Sequence, residues 1–229
     1  MTRTANARVA GFTYLFYIAV AFPDMVLFDR ATSGAGIAAK LASITQHAFD
    51  VRITVVLSLL SGLSALVLAV TLYALTRDQD RDLAMLGLTC RVAEGITGVI
   101  NIPSTLGLLW LATAPGSNAP DTAAAQSLAA FLLHRNALVG AAFFAVGSTI
   151  FCWLLLRGRM IPRWLAWVGF VGSALAAAIL PLEVAGFLRG AVTQLIWLPV
   201  AVFEITVAVW WLIKGDTMPA APAPSTNGR

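Results

Sequence analysis

Six apolar runs divide the chain, at 9–28, 53–75, 83–111, 136–156, 164–187 and 191–213, and most polar residues gather between them. A helix needs about 20 apolar residues to cross a hydrocarbon core, so each run suffices for one crossing, and the third is long enough to tilt. The pattern predicts an all-α, polytopic membrane helix bundle of about six spans. Two connecting stretches carry helical periodicity of their own. Ile37, Leu41, Ile44 and Ala48 recur at helical spacing, with Lys40, Gln46 and Asp50 elsewhere on the wheel. This predicts a short amphipathic helix at the membrane interface, with Ser33 as its N-cap. Pro115, Gly116, Asn118 and Pro120 mark a loop, after which Asp121 is placed to cap a second amphipathic stretch reaching His134-Arg135. Residues 1–8 form a polar N-terminus, and 214–229, rich in Pro, Ala and polar side chains, reads as a disordered tail.

Composition strengthens this picture. The chain is 59% hydrophobic and 11% charged, whereas a soluble domain carries about 25% charged residues. Too few charges exist to cover a water-facing surface, so a lipid bilayer is the expected partner. The net charge of +4 sits in short segments between apolar runs, which points to membrane topology and away from nucleic acid. Arg3, Arg8, Arg77, Arg81, Arg157, Arg159, Arg163, Lys214 and Arg229 fall on one side, nine in all, against five on the other: Arg30, Lys40, Arg52, Arg135 and Arg189. The side with nine, including both termini, is expected to face the cytoplasm of a cell with this protein in its inner (plasma) membrane. A second reading of the first run stays open: Ala19-Val20-Ala21 resembles a signal-peptide cleavage site. Cleavage would leave five spans and an external N-terminus, which suits the later charges less well than a retained helix.

Charges within spans need an explanation, because a charge in hydrocarbon costs about 2.5–3.5 kcal/mol or more and must face protein or water. Arg91, Glu94, Glu183 and Glu204 lie inside spans, and Asp24 lies near the outer end of the first. Arg91, Glu94, Gly98, Asn101 and Thr105 step by three and four residues, which places them on one helical stripe facing the bundle interior. Arg91 and Glu94 are spaced to pair, either as an internal ion pair fixing helix register or as part of a polar path. Small residues four apart, Ser58 and Gly62, Ala141 and Ala145, and Gly169, Ser173 and Ala177, are helix-packing signals. Pro23, Pro103, Pro181 and Pro199 fall in the outward halves of four spans, where each is expected to free a backbone carbonyl. The two histidines, His47 and His134, stand at the same boundary with Arg52 and Arg135. Together these residues predict a polar pocket opening outward.

No Walker loop, GxGxxG, CxxC, GxSxG, HExxH or HxxxH spacing occurs, so no cofactor or metal is implied. Cys90 and Cys152 each lie in an apolar run and read as small apolar fillers.

Several stretches taken in order resemble the bacterial membrane-protein family known as domain of unknown function 4386. They are Arg8-Val9-Ala10-Gly11-Phe12-Thr13-Tyr14-Leu15, Arg52, Leu72-Tyr73-Ala74-Leu75, Arg91-Val92-Ala93-Glu94, His134 and Ile161-Pro162-Arg163-Trp164-Leu165. The resemblance covers most of 5–213, with the Ala- and Gly-rich segment 31–39 departing from it. It implies a multi-span helical fold and brings no activity with it. Three functions therefore compete. A scaffold or small-molecule binder ranks first. A proton- or solute-coupled transporter using Glu94, Glu183 and Glu204 ranks next. Third is an enzyme acting on a lipid-like substrate, with His134 as acid or base and Arg52 and Arg135 holding an anionic head group.

Overall fold

A computed structural model describes residues 2–114, 120–133, 138–188 and 195–215. Among these residues the regular structure is helical: α1 Arg3–Ala31, α2 Ile37–Gln46, α3 Ala48–Thr76, α4 Arg81–Thr113, α5 Thr122–Leu133, α6 Leu138–Arg157, α7 Arg163–Val184 and α8 Trp197–Lys214. Six helical segments are long and apolar enough to cross a membrane: α1, α3, α4, α7, α8 and the run Thr122–Arg157 that contains α5 and α6. The chain is a multi-pass membrane protein.

The burial pattern is the reverse of a soluble domain's. Arg91 is fully buried and Glu94 and Glu204 are 7% exposed, while Phe12, Val70, Ile100 and Trp164 are each about 60% exposed. Apolar side chains thus cover the perimeter, where acyl tails solvate them, and the charges turn inward. Hydroxyls within the spans are hidden locally. Ser64, Thr76 and Thr149 each donate to the backbone carbonyl four residues earlier at 2.7 Å, so they need no partner from another helix.

The six long helices α1, α3, α4, α6, α7 and α8 pack in a closed ring in that order, α8 returning to α1. One end of the ring is tied by ion pairs. Arg3 Nη1 meets Asp78 Oδ2 at 2.9 Å and its Nη2 donates to Leu75 O at 3.0 Å, joining the start of α1 to the α3–α4 turn. Arg157 Nη1 lies 3.7 Å from Asp80 Oδ2, joining the α6–α7 turn to the same place. Beneath lies the largest apolar core, which includes Ala7, Leu75, Ala84, Leu154, Met160 and Trp211. At the opposite end α2 and α5 close over α4, burying Ile44, Leu108 and Ala129.

Three sequence expectations are corrected. Ser33 does not cap α2: Gly36 holds that position without a side-chain bond, and Ser33 Oγ instead lies 3.3 Å from Ser43 Oγ. A cap must directly precede the first turn, and Ser33 is too far upstream to reach it. Pro199 frees no carbonyl, because α8 begins at Trp197 and the first-turn nitrogens of a helix have no intrahelical partner to lose. Pro23, Pro103 and Pro181 do lie inside helices. Lys214 and Gly215, assigned to the tail by their sequence, belong to the bundle: Lys214 ends α8, and Gly215 caps it at φ +69° with its N–H donating to Trp211 O at 3.0 Å. The rest of the expected tail, 216–229, lies outside the described residues. Asp121, by contrast, does cap α5, accepting from the Ala124 N–H at 2.9 Å.

Candidate functional site

The site is built on α4. Residues 91, 94, 98, 101 and 105 share one face of that helix; Arg91, Glu94 and Thr105 are buried, Asn101 is half-buried and Gly98 is exposed. Arg91 Nη1 stands 2.8 Å from Glu94 Oε2, so the expected pair forms. The contact is an ion pair without a hydrogen bond, and the three guanidinium nitrogens make none among the described residues. Phe144 of α6 covers the guanidinium, its ring centroid 4.7 Å from Arg91 Cζ. Such a cation–π contact offsets part of the desolvation cost of a fully buried arginine. Space for the Arg91 stem comes from Gly147, also on α6, where a Cβ would stand 3.2 Å from Arg91 Cγ. Glu94 turns its other oxygen to α1 and accepts from the Tyr17 hydroxyl at 3.3 Å.

Next to this pair lies a cavity of about 350 Å³, bounded by α1, α4, α6 and α8. Its polar lining includes Tyr17, Glu94, Thr97, Asn101 and Glu204, and Phe144 and Trp197 form an aromatic wall with ring centroids 5.9 Å apart. Arg91 is not on the lining; it sits behind Glu94 and Phe144. Glu204 is 7% exposed, and its Oε1 has no hydrogen-bond partner among the described residues. Trp197 opens α8 and Glu204 lies seven residues on, about 10 Å deeper along the axis. Gly140 and Ala141, in the first turn of α6, mark the same end of the cavity as Trp197.

Two more cavities adjoin. One of about 90 Å³ shares Tyr17, Glu94 and Gly98 with the first and reaches Asp24, whose Oδ2 accepts from Ser58 Oγ at 2.7 Å. Another of about 520 Å³ takes Asp24 as a lining residue and extends to Asp29 and Lys40 at the α2 end.

Over residues 9–215 the sequence matches the family model described as Domain of unknown function (DUF4386). The chain belongs to that family. No curated protein and no solved structure matches it.

Within this DUF4386 protein the structure gathers Asp24, Arg91, Glu94, Asn101 and Glu204 of the sequence-derived candidates around the two adjoining cavities. Others lie elsewhere. His47 Nδ1 is 3.0 Å from Ser43 O of the preceding turn, Arg52 is exposed, and Glu183, close to the end of α7, lines none of these cavities. His134 and Arg135 lie outside the described residues. No group of three or more His, Cys, Asp or Glu placed to hold a metal occurs among the described residues. Sequence reasoning missed Tyr17, Phe144 and Trp197. Two of them had a signal: Tyr14, Tyr17 and Asp24 step by three and seven along α1, and Trp197, Glu204 and Trp211 by seven along α8. Phe144 had none, because an aromatic in an apolar helix reads equally as core or perimeter.

Proposed function

We propose that this membrane protein binds a small molecule in the cavity between Glu94 and Glu204, entering from the extracytoplasmic side, with both termini in the cytoplasm. The observation that carries this reading is Glu204 itself. A carboxyl group buried without a hydrogen bond among the described residues, beside a cavity, has a costly environment for a purely structural role. An aromatic wall with a few converging polar groups is the usual make-up of a ligand pocket, and about 350 Å³ is within the usual range of size. The orientation rests on the positive-inside rule: the tied end of the bundle carries Arg3, Arg77, Arg81, Arg157, Arg159 and Arg163, and the cavity approaches the other.

Cysteine accessibility tests this. In a Cys90→Ala, Cys152→Ala background, Asn101→Cys should react with a hydrophilic, impermeant thiol reagent added outside intact cells. Ile100→Cys, at the same depth but facing lipid, should not. Silence at Asn101→Cys from both sides would remove the hydrated cavity. Reaction from the cytoplasmic side alone would keep the cavity and reverse the orientation.

A second reading, coupled transport, is favoured by one observation. The small cavity shares Tyr17, Glu94 and Gly98 with the first and Asp24 with the third, so carboxylates at 204, 94, 24 and 29 follow one another from mid-bundle to the α2 end. Chains of intramembrane carboxylates serve proton relays. No flux of protons or solute in proteoliposomes under an imposed gradient would count against it.

A further inference from the structure

The charges around the cavity do not balance. Arg91 and Glu94 neutralise one another across 2.8 Å, which leaves the Glu204 carboxylate without a compensating positive charge among the described residues of the bundle interior. Among the described residues the neighbours do not supply the missing positive charge. Tyr14 and Tyr17 face this region from α1, Arg91 and Glu94 from α4, and Cys152 from α6. On α7 the ionisable residues, Arg163 and Glu183, stand near its two ends. Arg91 is the one cation among them, and it is already engaged. Neutrality in a medium of low dielectric then requires one further positive charge at Glu204, and two sources exist: a proton on the carboxyl group or a cation in the cavity.

The lining selects between ligand charges. Among the described residues it presents two carboxylates and no cationic side chain, because Arg91 is screened by Glu94 and Phe144. An anion would meet Glu204 with nothing to offset it. A cation would meet a free carboxylate oxygen, with the Trp197 and Phe144 rings available to its organic part. The volume, several times the roughly 30 Å³ share of a water molecule, accommodates an amine of moderate size. Building on the small-molecule reading above, we infer that the cavity takes a protonated organic amine, and that the amine exchanges for a proton on Glu204. The balance is simple: the carboxylic acid loses its proton to solution, the ammonium ion enters as counter-ion, and the charge of the bundle is unchanged.

The test uses the full chain in lipid nanodiscs with three probes of one shape: benzylammonium, benzyl alcohol and benzoate. Binding is read by calorimetry, and proton release by an indicator in weakly buffered solution. Benzylammonium should bind with release of about one proton per ligand, while the alcohol and the benzoate should bind at least about tenfold more weakly, the order set by a hydrogen bond to a charged group. Glu204→Gln keeps the size of the side chain and should abolish the proton release and weaken benzylammonium about tenfold, with Glu183→Gln unchanged. Equal binding of benzyl alcohol, or binding of the amine without proton release, would overturn the exchange and leave a small-molecule cavity standing. No binding of any probe would also overturn it, and the accessibility of Asn101→Cys then decides whether the cavity reading survives. A Glu204→Gln chain that fails to fold would be replaced by Trp197→Leu, which should weaken the amine and leave thermal stability near that of the parent.

Discussion

Gly147 of α6 lies directly against the stem of Arg91 on α4: a Cβ at that glycine would stand 3.1 Å from Cys90 Cβ and 3.2 and 3.3 Å from Arg91 Cγ and Cδ. The buried guanidinium reaches Glu94 and the Phe144 ring because α6 offers no side chain at this point. Gly147→Ala is expected to force α4 and α6 apart by a few tenths of an ångström and cost about 1–3 kcal/mol, the range for overpacking a close-packed interior. A smaller change in the denaturation midpoint in detergent would show that the two helices have slack.

Arg91→Met should be among the most destabilising substitutions in the chain. It leaves Glu94 buried beside no cation, which costs about 3–5 kcal/mol when a buried pair is broken. Adding Glu94→Gln should recover a large part of that loss, since an apolar and a neutral polar residue no longer strand a charge. The double-mutant cycle measures the coupling. Asp78→Asn, which breaks the exposed pair with Arg3, should cost less than about 1 kcal/mol.

Two glycines should answer differently to the same change. At Gly11 a Cβ would stand 2.6 Å from the Ala208 carbonyl oxygen of α8, a backbone atom that cannot step aside. At Gly98 nothing lies within 4 Å, because that position borders two of the cavities. Gly11→Ala is therefore expected to lower the unfolding temperature clearly, and Gly98→Ala to leave it unchanged or raise it slightly through helix propensity. Gly98→Leu should keep the fold while filling the cavity, and labelling of Asn101→Cys in that background should fall.

Arg159 is the one described residue other than glycine with positive φ, at 51°. The left-handed conformation costs a residue with a Cβ roughly 1–2 kcal/mol. Arg159→Gly should stabilise the bundle by up to about 1 kcal/mol in a thermal melt. The same change removes a positive charge from the α6–α7 turn. Together with Arg157→Gln and Arg163→Gln it should produce a mixed orientation in reporter fusions, because the charge of short loops sets the direction of insertion.

The period and length of the apolar runs determined the helical class and the number of long apolar helices, since a bilayer tolerates few other ways of satisfying a backbone. The Arg91–Glu94 pair was equally legible, because residues three apart on a helix are neighbours whatever surrounds them. What only the tertiary structure decided was which residues from different helices share that interior. Glu204 and Glu183 look alike as acidic residues in apolar spans, yet one lines the cavity and the other, near the end of α7, does not. Tyr17, Phe144 and Trp197 join the site from three helices through the order of the ring. Helical periodicity states which residues share a face, but which faces meet depends on packing between helices, where a glycine such as Gly147 sets how closely two of them approach.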